Sequence, residues 1–297
     1  MKGIILAGGS GSRLWPMTRA MSKHLLPVYD KPMIYYALST LMQIGLRDIT
    51  IITTPQDANR YQNLLCDGTA WGITLHYAVQ EKPQGIAQAI LICAQWIADT
   101  PVCLILGDNL IFDPKIGQSG RDAAAHITRA QGAHIFLSQV AHPERYGVVQ
   151  YDGEVITDII EKPAIPPSYD SVIGLYMYGH DVVARAKELK LSARGELEIT
   201  DLNRSYLADA RLHHTKLQNA VWLDMGTPES MQDAAAFVAT IYHRQGFKVG
   251  CVEQIAHEQG WIDNAQLRAC AQDMNKSDYG YYLQGLLKPR SQADSRP

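Results

Sequence analysis

The chain has 297 residues, 46% of them hydrophobic, enough to bury a sizeable core in one large α/β domain with an appendage or in two modest domains. Its 27 Lys and Arg against 30 Asp and Glu give a net charge of −3, so there is neither a basic excess for nucleic acid nor an acidic solvating arm. An anionic substrate must be met by local positive charge, not by a global field.

In chain order, the opening MKGIILAGGSGSRLW carries an apolar run of only a few residues before its glycines. That is too short for a signal peptide and reads as a buried strand; no later stretch approaches the length of a membrane span. Apolar runs at 3–6, 49–53, 73–79 and 102–106 predict strands buried on both faces. Helical spacing falls between them at 33–44, 56–65 and 86–97, the second with Thr54 placed to cap and Pro55 suited to the first turn. Such alternation predicts an α/β fold with a parallel sheet and right-handed crossovers.

From about 133 the texture changes to strands and turns, at 147–151, 155–160 and 172–178. A helix is expected over 198–208, and Thr227-Pro228-Glu229 opens another. Beyond about 250 the chain reads as helical, with Asp263 and Gln266 spaced as an N-terminal cap pair. The residues 289–297 have the composition of a disordered tail. The cysteines, Cys66, Cys93, Cys103, Cys251 and Cys270, form no C-x-x-C pair, which suits reduced thiols in a cytoplasmic protein.

The chemistry begins directly after the first strand, in Gly8-Gly9-Ser10-Gly11-Ser12-Arg13. Its glycines let the backbone turn sharply and bring N–H groups close to an anion. The dinucleotide fingerprint fails because Leu14 stands where its third glycine belongs, and no Gly-Lys-Ser/Thr completes a P-loop. A tight turn between strand and helix accounts for the loop equally well until Arg13 and then Ser22-Lys23-His24 follow. A guanidinium can hold phosphate oxygens with two donors, and a Lys ammonium adds a movable charge. Arg19 and Lys31 read as solvated.

Asp108 ends an apolar strand in Leu106-Gly107-Asp108-Asn109, where ligands of open parallel sheets collect. A carboxylate there suits Mg²⁺, and Asp224 in Trp222-Leu223-Asp224-Met225 is a second strand-end acid. Either acid alone also fits a turn. Glu161-Lys162-Pro163 closes another strand: Glu can accept from sugar hydroxyls and Lys can meet a phosphate, although such a pair also suits a solvated edge. Arg194 to Thr200 fits a helix N-terminus with acids favoured by the dipole.

Taken together and in order, GGSGSRLWP, SKHLLPVYDKPMIYY, QEKPQGIAQA, LGDN, YGVV, EKP, GLYMY, RGELEITDLN and WLDMGT resemble the sugar nucleotide pyrophosphorylases over nearly the whole chain. The likeness is strongest to those members that join dTTP to α-D-glucose 1-phosphate with Mg²⁺, giving dTDP-glucose on the way to dTDP-rhamnose and lipopolysaccharide O-antigen. The resemblance implies a Rossmann-like three-layer αβα nucleotidyltransferase fold with a mostly parallel central sheet. A catalytic domain over 1–240 would include the sugar-binding part and be followed by a helical C-terminal segment over 241–288.

Residue by residue, the resemblance implies that Gly8, Gly11 and Ser12 cradle the triphosphate. Arg13 holds its departing end and Lys23 reaches the reacting phosphates, these two being the catalytic pair. Gln80 and Gly85 contact the pyrimidine base with Glu81 beside them. Gly147, Glu161 and Val172 hold the glucosyl part, and Lys162 and Arg194 its phosphate. Asp108, also a nucleotide contact, and Asp224 are the Mg²⁺ ligands. A homotetramer inhibited by dTDP-rhamnose is implied as well, with no nucleic acid or membrane partner.

Rival readings are a sister pyrophosphorylase using UTP or another hexose 1-phosphate, and a non-catalytic sugar-nucleotide-binding regulator. The presence of Arg13, Lys23, Asp108 and Asp224 speaks against the regulator. Four positions depart from the family pattern: Ser12 and Met225 where Thr is usual, His24 for Gln, and Asp113 for Gly. If His24 lies beside the nucleotide, its imidazole would tighten triphosphate binding as pH falls towards 6.

Overall fold

The computed structural model describes residues 1–288, so the expected disordered tail at 289–297 lies outside the described residues. Strand β1 (Lys2–Leu6) sets the centre. Ile4 and Ile5 point to opposite faces, yet both are fully buried, as a strand covered on both sides requires. A short antiparallel pair, β2 (Pro27–Val28) and β3 (Lys31–Pro32), leads into α1 (Ile34–Ile44). Then β4 (Asp48–Thr53), α2 (Ala58–Leu65), β5 (Thr74–Val79), α3 (Gln88–Ile92), α4 (Ala94–Ile97) and β6 (Val102–Leu106) follow, and the strands run parallel in the order β6-β1-β4-β5.

Three local expectations shift. Strand β5, expected to be buried on both faces, lies at the sheet edge with Thr74, His76 and Val79 exposed. Helix α2 begins at Ala58, because Thr54 Oγ1 donates to the Asp57 carboxylate at 2.9 Å instead of capping the helix. The helix expected over 86–97 is broken at Cys93, whose φ of −91° and ψ of 6° end α3 before α4 begins.

The second half adds β7 (Asn109–Phe112), α5 (Ile116–Ala130), β8 (Ala133–Gln139), β9 (Gly147–Asp152), β10 (Val155–Glu161) and β11 (Asp170–Tyr178). Strand β11 pairs antiparallel with β6 on one edge and β8 on the other, and extends the parallel half into a nine-stranded mixed sheet. Then come α6 (Val182–Glu188), α7 (Ile199–Ala208), β12 (Leu212–Lys216), β13 (Val221–Asp224) and α8 (Pro228–Gln245), the last opened by a Thr227 capping box. Three helices follow: α9 (Val252–Glu258), α10 (Asn264–Asp273), whose N-terminus carries the expected Asp263–Gln266 capping box, and α11 (Asp278–Leu286).

Helices cover both faces. Ile5 lies in a core with α1, α2, α5 and the C-terminal helices, through Leu38, Tyr61, Ile127, Ile255 and Leu283. Ile4 lies in another with α3, α4, α6 and α7, through Ile90, Ile97, Ala186 and Leu202. Lys31, read as solvated, is 4% exposed. Its ammonium donates to the Val249 carbonyl at 2.9 Å and pairs with Asp30, which also accepts from Lys248 at 2.7 Å. This buried cluster ties the β2–β3 turn to the chain entering α9, and the shared carboxylate is what offsets the burial of two ammoniums.

Candidate active site

The two strand-end acids meet through an antiparallel ribbon. Strand β13 pairs with β7, setting Asp224 opposite Asn109, and the Met225 N–H donates to the Asp108 carbonyl at 2.8 Å. Lys23 pairs with Asp108 through Oδ2. Burial would raise the Asp108 carboxyl, but the Lys23 charge together with the hydrogen bonds from Lys23 and Asn109 outweighs it and holds the group well below the usual carboxylate range. Asp224 goes the other way: burial raises its carboxyl, and the nearby Asp108 adds to this. Tyr146 donates to Asp224 Oδ1 at 2.9 Å, and Arg145 stands 3.5 Å from Oδ2.

Both acids open on a cavity of about 460 Å³ at the carboxyl ends of the strands. Arg13, Gly147, Glu161, Lys162, Val172 and Arg194 line the same cavity. Alternation along β10 would send Glu161 and Lys162 to opposite faces. Lys162 instead has φ of 45°, a left-handed conformation that costs a non-glycine residue energy, and its ammonium comes 3.2 Å from Glu161 Oε1. Thr200 donates to Glu161 Oε2 at 2.7 Å. Arg194 is gripped by Glu198 through Nε at 3.2 Å and Nη2 at 2.9 Å, which fixes the plane of its guanidinium.

Gly11 ends the glycine loop with φ of 63°, accepts from Thr18 Oγ1 at 2.7 Å, and starts the short 3₁₀ turn Ser12–Leu14. From that turn Arg13 reaches the chain after Asp224: a Cβ added to Gly226 would lie 3.4 Å from its Nη2. A second cavity, about 390 Å³, is lined by Gly8, Gln80 and Glu81 among others. Gly11, Ser12, Lys23 and Gly85 line neither cavity. Gly85 has a tertiary reason: with φ of 97°, it lets residues 84–87 run against Leu197, whose carbonyl a Cβ would meet at 2.4 Å. A larger cavity of about 540 Å³, between α1, α5 and α9, contains Asp113 and none of the expected site residues.

His24 corrects an expectation. It is 2% exposed, with Nδ1 3.1 Å from Ser22 Oγ, and its ring packs on Gly107. Burial first, then the Lys23 charge, pushes its pKa down to about 3, so the buried ring is neutral at pH 6. Met225 is likewise fully buried, in a core with Val28, Met33 and Val238, so its departure from Thr belongs to packing.

Asn109, Arg145, Tyr146, Glu198, Thr200 and Trp222 also line the first cavity, and the sequence reading assigned none of them to the site. All but Arg145 adjoin a residue that the sequence singles out or fall in the same motif. Asn109 joins three segments: Nδ2 donates to Asp108 Oδ1 at 3.0 Å, and Oδ1 accepts from Trp222 Nε1 at 2.6 Å and the Gly174 N–H at 3.1 Å.

A glycine loop after the first strand, paired acids at strand ends and converging cations define a nucleotidyltransferase. Residues 2–241 match the nucleotidyl transferase family model. The chain is 50% identical to the glucose-1-phosphate thymidylyltransferase of Neisseria meningitidis serogroup A, covering 97% of this chain and 100% of that protein. The Xanthomonas campestris pv. campestris enzyme of that name is 52% identical, over 97% of each. A Bacillus anthracis chain assigned to that activity and crystallised with sucrose superimposes with a TM-score of 0.74 at 42% identity, covering 80% of this chain and 94% of that one. UDP-glucose pyrophosphorylase with UDP-glucose gives 0.69 at 25% identity, covering 80% and 98%. This chain belongs to the glucose-1-phosphate thymidylyltransferases.

Proposed function

We propose that the chain transfers the thymidylyl group of dTTP to the phosphate of α-D-glucose 1-phosphate, forming dTDP-glucose and releasing pyrophosphate. The observation that carries this reading is the convergence of Arg13, Lys162, Arg194, Glu161, Asp108 and Asp224 on one cavity. The glycine loop and Gln80 border the cavity beside it.

A sugar phosphate oxygen attacks the α-phosphorus, a new P–O bond forms, and the bond to the β-phosphate oxygen breaks as pyrophosphate leaves. The attacking group is already an anion, so no Ser, Cys or His nucleophile is needed. Catalysis then rests on positioning and on stabilising phosphate charge. Lys162 and Arg194 hold the sugar phosphate, Glu161 and Gly147 the glucosyl hydroxyls beside Val172, and Arg13 the departing pyrophosphate. Lys23, which pairs with Asp108, supplies charge to the reacting phosphates.

Asp108 and Asp224 suit Mg²⁺, because two hard carboxylates line the one cavity. Mg²⁺ is commonly held by one or two acids with substrate phosphates completing its shell. When bound, it neutralises charge on the phosphates. The reading extends to a cytoplasmic homotetramer inhibited by dTDP-rhamnose, serving O-antigen synthesis.

Pyrophosphate release across dTTP, UTP, CTP and ATP, each with several sugar 1-phosphates, tests the proposal. The highest kcat/KM is expected for dTTP with glucose 1-phosphate. A preference for UTP would move the chain to the sister activity, and no release with any pair would contradict catalysis.

A further inference from the structure

Behind the second cavity, three glutamines form a chain of amides whose direction is set by the backbone. The Gln84 N–H donates to the Gln88 side chain at 3.0 Å. A backbone N–H can only donate, so the Gln88 atom facing it is its oxygen. That same oxygen lies 2.6 Å from the Gln80 amide, which must therefore offer its nitrogen. Gln88 in turn donates from Nε2 to Gln84 Oε1 at 2.9 Å.

With its nitrogen committed, Gln80 turns its carbonyl oxygen towards Gly8. A Cβ on Gly8 would come 2.3 Å from that oxygen, so glycine is what leaves room for it. Gln80 is 4% exposed, and its amide is not free to turn over. A flip would set the two side-chain carbonyl oxygens face to face at the present 2.6 Å, leaving the Gln80 oxygen without its partner and the Gln88 oxygen with the Gln84 N–H alone.

We infer that Gln88 is a specificity-determining positioning residue, which locks the Gln80 amide so that the nucleotide cavity accepts a keto pyrimidine and rejects cytosine. Uracil and thymine carry a donating N3–H beside a C4 carbonyl, whereas cytosine carries a bare N3 beside a donating amino group. Held as it is, Gln80 Oε1 accepts from N3–H and its second amide hydrogen donates to a ring carbonyl. Cytosine in the same place needs the flipped amide, and without it two acceptors face each other. The lock is blind to the 5-methyl group, so dTTP and UTP are separated elsewhere in the pocket. The inference rests on the reading that Gln80 meets the base.

The test is the ratio of kcat/KM for dTTP to that for CTP, with glucose 1-phosphate as acceptor, in four proteins whose folding is checked by thermal melting. Wild type is expected to favour dTTP strongly. Gln88→Ala frees the Gln80 amide and is expected to lower the ratio by about tenfold or more, the scale of one buried hydrogen bond. Gln88→Glu keeps an acceptor for both the Gln84 N–H and the Gln80 amide, and is expected to hold the ratio near wild type. A ratio unchanged in Gln88→Ala but collapsed in Gln80→Ala would overturn the lock while leaving Gln80 as the base contact. A ratio unchanged in Gln80→Ala would show that the base is read elsewhere, and the underlying reading of Gln80 would fall. Equal losses in Gln88→Ala and Gln88→Glu would also overturn the lock, because the acceptor alone would not suffice.

Discussion

The Met225 N–H donates to the carbonyl oxygen of Asp108 at 2.8 Å, and this bond, with the β7–β13 ribbon, brings the two acids of the site side by side. The backbone does the placing, so their carboxylates remain free for ligands other than each other. Lys23 compensates Asp108, while Tyr146 and Arg145 attend Asp224.

Because each acid is placed by backbone bonds, Asp108→Asn and Asp224→Asn are expected to keep the fold and lose most turnover. Measured kcat in saturating Mg²⁺ should drop by about 10²-fold or more, the scale of a lost charge-stabilising contact. Turnover near wild type in either variant would remove that acid from the metal site.

Arg13 lies in the 3₁₀ turn that follows the glycine loop and reaches the chain after Asp224. Arg13→Ala should act mainly on kcat, by about 10²–10³-fold, as for one preorganised donor. A rise in triphosphate KM with kcat unchanged would mean that Arg13 binds ground state and transition state equally.

Lys162 is held in a left-handed conformation beside Glu161, in the cavity that Arg194 also lines. Lys162→Ala is expected to weaken glucose 1-phosphate binding much more than triphosphate binding in separate calorimetric titrations. Equal losses would place the ammonium between the two ligands.

His24 and His134 both have pKa values pushed down to about 3, by burial first and then by neighbouring positive charge or imidazoles. Unfolded histidines take up a proton near pH 6.5, while these two stay neutral in the folded chain until about pH 3. Their contribution is therefore complete above pH 6.5 and lost as pH falls, at up to about 1.4 kcal/mol per pH unit for each ring. Urea midpoints at pH 7 and pH 5 should fall less for His24→Gln than for wild type. Parallel falls would mean that the buried ring is protonated in the folded protein.

Much of this was legible in the sequence, for physical reasons that differ by element. Strands such as β1 and β6 announce themselves because both faces are buried, and the Asp263–Gln266 cap pair because capping is local. Lys31 misled because the sequence gives no hint that the distant Val249 carbonyl and Lys248 close over it and its neighbour Asp30. Cys93 is apolar and buried, so hydrophobic spacing runs through the break that its backbone makes. Among the site residues, Asp108, Glu161 and Arg194 stood out as charges at element ends. Tyr146, Asn109 and Trp222 did not, since their roles depend on partners distant in the chain, such as Tyr146 on Asp224 and Trp222 on Asn109. Gly85 has a packing reason that the sequence does not show, since residues 84–87 pass closely against Leu197.

The most direct measurement follows the phosphorus of the acceptor. With glucose 1-phosphate labelled with ³²P, unlabelled dTTP and Mg²⁺, attack by the sugar phosphate on the α-phosphorus puts all transferred label into dTDP-glucose and none into pyrophosphate. Asp108→Asn and Asp224→Asn should each suppress that transfer. Label appearing as inorganic phosphate or pyrophosphate, or no labelled sugar nucleotide at all, would contradict nucleotidyl transfer at this site.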